Sequence, residues 1–238
     1  MNVLFATPYN NNPGGINQWA KHIINFYNSI NSNIELDILP MSDPKGSDRS
    51  ISHSKIDRLQ YGIRTYLRVI KNLKFVSKQK KYDVLHIASS ASISLIKDIW
   101  MANIAKRSGI KSVLHFHFGR IPELAEQKNW EWKLLKRAIN AVDKCVVIDN
   151  KSYTTLLKHG FNNIALLPNP LAPNVEQIIK QNQDYKRDNN TILFVGHCVP
   201  TKGIYELGEA CNKLKNIKLK LIGPIHNGIK AELISKTN

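Results

Sequence analysis

The 238-residue sequence predicts a parallel α/β protein built as two successive units, and three observations carry that reading. Short apolar runs alternate with longer segments of helical periodicity along the whole chain. The alternation is interrupted once, by "PNPLAP" and the polar "QNQDYKRDNN". It then resumes with a strand, a helix and one further strand, which is too little for a self-sufficient sheet.

Taken in order, "NVLFA" is the first strand. No basic flank precedes its short apolar run and a turn-rich segment follows, so it does not read as an export signal. "GINQWAKHIINFYNSI" is a helix with Ile16, Trp19, Ile23, Ile24 and Tyr27 at helical spacing, and "IELDIL" is the second strand. The turn-rich "PMSDPKGSDRSISHS" leads into a long basic helix, Ser54 to Lys81, and "YDVLHIA" is the third strand. "SISLIKDIWMANIAKRSG" is a helix closed by Gly109, followed by "KSVLHFHF" as the fourth strand. "ELAEQKNWEWKLLKRAINAV" reads as one helix, "DKCVVID" as strand five, "KSYTTLLKHG" as a helix ending at Gly160, and "NIALLP" as strand six. Beyond the break come strand "TILFVG", helix "GIYELGEACNKL" and strand "KLKLIGP". The expected limits are a first domain over 1–172, a linker over 173–190, and the incomplete start of a second domain over 191–238.

Composition narrows the class. Cys145, Cys198 and Cys211 are scattered, without the paired spacing of a zinc site or redox dithiol, and read as reduced buried thiols. No window approaches the ~18 consecutive apolar residues of a spanning helix. The net charge of +16 concentrates in Ser54 to Lys81, which holds nine basic residues and only Asp57 as an acid. Ile56, Leu59, Ile63, Tyr66, Leu67, Ile70, Leu73 and Phe75 recur there at helical spacing, which makes a basic amphipathic helix. Three readings stand: a solvated face on a core-packed helix, an anionic membrane surface, or nucleic acid. No zinc-finger spacing, RNA-reading aromatic strand or basic recognition helix accompanies the charge, so no specific nucleic-acid partner is expected.

In an open α/β sheet, ligands bind at the carboxyl ends of the strands, and three strand-to-helix turns stand out there. In "TPYNNNPGGINQW", Gly14 and Gly15 let the backbone approach a ligand, and the helix after them aims free amides at an anion. In "VLHFHFGRIPE", His115 and His117 share one strand face, with His117 nearer the carboxyl end, where an imidazole can reach a sugar hydroxyl or a reacting carbon. In "LFVGHCVPTKGIYELGEAC", Lys202 and Gly203 sit at a helix N-terminus, where ammonium and backbone amides converge on a phosphate. Neither G-x-G-x-x-G nor the Walker A pattern is present.

Together these positions resemble the retaining GT-B glycosyltransferases of family 4, over nearly the whole chain. "PGG" is similar to the family's glycine loop, "HFH" to its histidine-bearing fourth strand, "LLPNPLAP" to its interdomain linker with Pro170 at the usual glycine, and "FVGHCVPTKG" to the segment opening its second Rossmann domain, with His197 at the usual arginine. The resemblance implies a Rossmann-like acceptor domain followed by the incomplete start of a Rossmann-like donor domain. It implies sugar transfer from a nucleotide-sugar to a lipid-linked glycan acceptor with retention, no cofactor and no obligatory metal. His117 and Lys202 would be catalytic; Gly14, Gly15, Gly196, His197, Lys202 and Gly203 would bind the donor. Arg120 and the helix cations Arg64, Arg68, Lys71, Lys74 and Lys78 would face acceptor or membrane, in a cytoplasmic protein peripheral to the inner membrane face. The family's "E-x7-E" segment is not found between Pro224 and Asn238. The chain is therefore expected to be truncated and inactive alone, or to act as a binding module completed by a second chain.

Overall fold

The computed structural model describes residues 1–10, 14–30, 33–42, 55–171, 174–183, 186 and 188–236, with side chains of 55–59 and 236 outside that description. Two compact units emerge, Met1–Ala172 and Pro173–Asn238.

The first unit runs β1 (Asn2–Thr7), α1 (Gly15–Ser29), β2 (Glu35–Pro40), α2 (Lys55–Gln79), β3 (Val84–Ser89), α3 (Leu95–Arg107), β4 (Lys111–Phe116), α4 (Ile121–Gln127), α5 (Trp130–Ala141), β5 (Lys144–Val147), α6 (Asn150–Lys158) and β6 (Ile164–Leu166). Its six strands are parallel, in the order β2-β1-β3-β4-β5-β6. The chain steps from β1 outward to β2 and then crosses back to β3. With right-handed crossovers, that reversal sends α1 to one face of the sheet and α2, α3 and the later helices to the other.

Strand residues divide accordingly. Phe5 and Ala88 pack with Trp19, Ala20 and Ile24 of α1. Leu4, Ala6, Leu85, Ile87, Leu114 and Phe116 point the other way, into a core with Leu73, Leu95, Met101 and Leu135. Because both faces are covered, the central strands read as apolar runs rather than alternations.

Three helices differ from the sequence reading. The single helix expected over 123–142 is α4 and α5, separated where Lys128 turns left-handed and the Asn129 side chain accepts from the Trp132 amide at 3.1 Å. An asparagine N-cap restarts the helix there. The helix expected from Ser92 opens with a 3-10 turn, Ser92–Ser94, before α3. In α2 the buried stripe is narrower than the apolar spacing suggests. Val69 and Leu73 are buried and Tyr66, Ile70 and Val76 partly so, whereas Ile63, Leu67 and Phe75 face outward. Ile56 and Leu59 lie outside the described side chains.

In the second unit, α7 (Val175–Gln181) is followed by β7 (Thr191–Val195), a 3-10 turn at Pro200–Lys202, α8 (Ile204–Asn212), β8 (Lys218–Ile222) and α9 (Asn227–Lys236). Helix α7 falls within the stretch read as linker; Ile178 and Ile179 are exposed on it. β7 and β8 form a two-stranded parallel sheet. Cys198, Ile204 and Leu233 make a small core with Phe194, Leu221 and Ile225, while Leu193, Val195 and Ile222 on the opposite strand face are exposed. An apolar-lined cavity of about 670 Å³ opens between α8, β8 and α9. The strand ends meet closely: a Cβ on Gly223 would stand 1.9 Å from the Gly196 carbonyl oxygen, so position 223 admits only glycine. All three cysteines are free and buried, and burial pushes the Cys145 thiol up to about 12.

One polar feature of the first unit's interior lay beyond the sequence reading. Lys97 and Asp98, 5% and 1% exposed, form an ion pair behind the carboxyl end of β3, and Ser89 Oγ donates to Asp98 at 2.6 Å. The Lys97 ammonium also lies 3.1 Å from the sulfur of Met41 and 3.9 Å from that of Met101. Removing the carboxylate would leave a buried cation without an anionic partner. Asp98→Ala is expected to lower unfolding free energy in urea by about 3–5 kcal/mol, and Lys97→Met in the same chain to recover most of that loss. An Asp98→Ala chain as stable as the parent would contradict the burial of the pair.

Candidate functional site

The first unit's site is built at the carboxyl edge of its sheet, around the reversal between β1 and β3. After β1, the segment ending at Asn10 is tied to α1 by the buried Asn17: its Nδ2 donates to the Asn10 carbonyl at 2.8 Å and to Asn10 Oδ1 at 2.9 Å, and its Oδ1 accepts from the Asn10 amide at 3.3 Å. Gly14 precedes α1 in an extended conformation and Gly15 opens the helix, with no side-chain cap and no acid in the first turn. Among the described residues, a methyl added at either glycine would meet nothing within 4 Å. With no side-chain cap, the first-turn amides are of the kind that an anion can satisfy.

After β3 the backbone turns sharply. Ala91 and Ser92 both take positive φ, 62° and 57°, which is costly outside glycine. Ser89 Oγ holds this turn by accepting from the Ala91 amide at 3.1 Å while donating to Asp98. The signal in the sequence was the run of small residues "SSASIS" after the third strand.

His117 follows β4 directly, its amide donating to the Ser89 carbonyl at 2.9 Å so that the ladder extends one residue. Its ring lies 4.2 Å from Trp19 and 4.4 Å from His115, centroid to centroid. His115 in turn lies 5.4 Å from His86, with His86 Nε2 and His115 Nδ1 3.3 Å apart. One of those two nitrogens must carry the proton for the bond to form. Burial pulls all three imidazoles down, His86 and His117 to about 4 and His115 to about 3; a charge on His117 further opposes protonation of His86 and His115. At neutral pH the cluster is uncharged. Among the described residues, Nε2 of both His115 and His117 is buried without a hydrogen-bond partner. Each of these nitrogens has hydrogen-bonding capacity to spare, which a ligand hydroxyl would meet only after the side chains covering it move aside. Trp19, which lies against His117, and His86, which stacks on His115, were read from sequence only as a helix core residue and a strand residue.

The remaining expected residues divide by place. Arg120 stands three residues beyond His117, exposed, its guanidinium 5.2 Å over the Phe118 ring. Arg64, Lys71, Lys74 and Lys78 lie on the outward side of α2. Arg68 does not share their setting: it is half-buried and donates to the Ser42 carbonyl at 2.8 Å, fastening the exit of β2. In the second unit, Gly196, His197, Lys202 and Gly203 come together in the single connection from β7 to α8. His197 and Lys202 are exposed. Lys202 ends a 3-10 turn, and Gly203, left-handed at φ 72°, starts α8 without a side-chain cap. Among the described residues, no group of three or more His, Cys, Asp or Glu is placed to hold a metal, and no helix is long and apolar enough to cross a membrane.

The family model described as Glycosyltransferase Family 4 matches residues 13–174, which include Gly14, Gly15, Trp19 and His117. No curated protein matches the chain significantly in sequence. Among solved structures, UDP-GlcNAc 2-epimerase from Neisseria meningitidis bound to UDP-GlcNAc superposes at TM-score 0.59 with 13% identity, over 100% of this chain and 69% of that one. Arabidopsis thaliana UGT89C1 complexed with UDP gives 0.55 and 12%, over 98% and 68%. Glycyrrhiza uralensis UGT73P12 complexed with glycyrrhetinic acid 3-O-monoglucuronide gives 0.58 and 12%, over 98% and 60%. The chain thus spans about two thirds of the length of these neighbours, and at such identity the likeness is one of fold: a parallel α/β sheet of the GT-B, Rossmann-like kind.

The histidine cluster fixes a pH dependence. Folded-state values near 4 and 3 lie below the ordinary 6.5, so in mild acid the unfolded chain binds protons that the folded chain refuses. This contribution is whole above about pH 6.5 and is lost as pH falls toward about 4, at up to about 1.4 kcal/mol per pH unit for one proton. The lowered carboxyls of Asp37 and Asp143 act in a separate window, below their ordinary 3.8. Urea unfolding at about pH 7.5 and about pH 5 is expected to show a loss above 1 kcal/mol, reduced when His115 and His117 are both changed to Gln. Equal stability at the two pH values would mean that the imidazoles are solvated.

Proposed function

The chain belongs to glycosyltransferase family 4, and we propose that it serves the transfer of a sugar from a nucleotide-sugar to a lipid-linked polysaccharide precursor, with retention of configuration. The observation that carries this reading is the match of the family over the unit that holds the Gly14-Gly15 turn and the neutral His117 under Trp19. The glycosyltransferase lineage is a property of the sequence; donor, acceptor and stereochemistry are the proposal. UDP and UDP-GlcNAc in the neighbours support a nucleoside diphosphate as the donor's leaving part.

The reaction breaks the bond from the anomeric carbon to the diphosphate oxygen and forms one to an acceptor hydroxyl, whose proton passes to the departing phosphate. Negative charge grows on the diphosphate as that bond breaks. A fixed cation and preoriented amides at that oxygen lower the barrier, because they need no reorganisation as the charge develops. In the second unit, Lys202 and the uncapped start of α8 are suited to this role, with Gly203 letting the chain turn so that the two adjoin. His197 adds a hydrogen-bonding imidazole from the same connection. The first unit, taken by itself, presents backbone amides at Gly15 that suit an anion and an uncharged, half-buried His117 imidazole that would orient a sugar hydroxyl once its covered Nε2 is exposed. An uncharged imidazole suits that task, since it orients a hydroxyl without repelling the cationic character that builds on the sugar. Nothing in this scheme calls for a metal to neutralise the leaving group.

The reading is tested on the intact chain by calorimetric titration with UDP. Lys202→Ala is expected to weaken binding about tenfold, the worth of one charge-assisted hydrogen bond, while Lys215→Ala, an exposed lysine after α8, leaves it unchanged. No binding of UDP to the parent chain, or equal affinity in both variants, would overturn the assignment of this connection to the donor phosphates.

A further inference from the structure

The outward surface of the α2–α3 layer combines two features that a solvated helix face does not need together. Helices α2 and α3 pack against each other on the same face of the sheet and run in the same direction, since both return from the carboxyl edge. Along α2, Ile63, Leu67 and Phe75 are 51%, 56% and 60% exposed. At 100° per residue they fall in one arc with Arg64, Lys71, Lys74 and Lys78. Beside it, Ile96 and Trp100 of α3, 40% and 50% exposed, stand one helical turn apart, with Ile93 exposed just before the helix. Single exposed apolar residues need no account, but a periodic set on two adjoining helices does.

The charges on this layer are of one sign. No Asp or Glu occurs among the described side chains of α2, and the only acid of α3, Asp98, is buried against Lys97. None of Arg64, Lys71, Lys74 and Lys78 is among the described ion pairs. A nucleic-acid backbone would satisfy the cations but offers no apolar phase for Ile63, Leu67 and Ile96. An anionic bilayer meets both requirements: its headgroup phosphates attract Lys and Arg, and the acyl boundary a few ångströms deeper takes up Ile, Leu and Trp.

We propose that the outward α2–α3 face is a docking surface for an anionic lipid bilayer, with Ile63, Leu67, Ile96 and Trp100 entering the interface while Arg64, Lys71, Lys74 and Lys78 lie at the headgroups. Arg68, committed to the Ser42 carbonyl, is not part of it. The surface deepens the lipid-linked acceptor reading, because it would hold the first unit where such an acceptor is embedded. It can fail or stand without that reading, since the test vesicles carry neither sugar donor nor glycan.

The experiment is flotation of the intact chain with vesicles of phosphatidylcholine alone or mixed with phosphatidylglycerol, at low and high salt. Binding is expected only to the anionic vesicles and falls with salt. Each lysine contributes about fivefold, so the combined Lys71→Glu, Lys74→Glu, Lys78→Glu chain loses more than ~100-fold in partitioning. Leu67→Ser with Trp100→Ser is expected to lose about tenfold at unchanged charge, with an unaltered thermal melt because both side chains are exposed. In a Trp130→Phe background, anionic vesicles are expected to shift the tryptophan emission to the blue, and Trp100→Phe to abolish the shift. The proposal is overturned by equal partitioning to neutral vesicles, by no partitioning, or by full binding of the Leu67→Ser, Trp100→Ser chain. It is also overturned if sedimentation shows a dimer that this variant dissociates, or if duplex DNA is bound more tightly than the anionic vesicles.

Discussion

The handedness of parallel crossovers is the constraint from which most of this architecture follows. The chain steps from β1 to β2 and then passes back over β1 to reach β3. Right-handed connections at both steps place α1 alone on one face of the first unit and every later helix on the other. That division puts Phe5, His86 and His115 under α1, and Leu4, Leu85 and Leu114 under α2, α3 and α5. It also separates the turns after β1 and β3, so that the amides of the first helical turn and the His117 ring open at the same sheet edge.

Burial then sets the chemistry of that edge. Three imidazoles beneath Trp19 remain uncharged because the sheet and α1 withhold water from them, not because an opposite charge tunes them. A buried ion pair, Lys97 with Asp98, is kept on the far face, behind the strained turn at Ala91 and Ser92. The imidazoles buried in the first unit are uncharged while the outward lysines of α2 are exposed, and in the second unit Lys202 is exposed beside the start of α8. Under the proposed function, such sorting would suit a reaction in which charge must be stabilised at the leaving group and not at the hydroxyls.

Much of this was legible in the sequence. Strand-helix alternation encodes parallel α/β structure locally, because each strand needs only its own apolar run and each helix its own periodicity. The Gly14-Gly15 turn, the alternation of His115 and His117, and Lys202 before Gly203 are likewise local patterns at strand ends. Other features depended on what lies opposite. Spacing alone could not tell that α2 buries Val69 and Leu73 while Leu67 and Phe75 face out, because two apolar stripes overlap on one helix and only the neighbouring strands and α3 select between them. The break at Lys128 and Asn129 was concealed by continuous helical periodicity on both sides.

By itself, then, the sequence determined the fold class and the order of the strands along the chain, since those follow from short-range pattern and turn chemistry. Only tertiary structure decided that Trp19, His86, His115 and His117 form one uncharged cluster, that Arg68 is spent on Ser42, and that Lys97 is paired inside the core. Those residues come from strands and helices far apart in the chain, and a side chain's charge and freedom depend on the water its distant neighbours exclude.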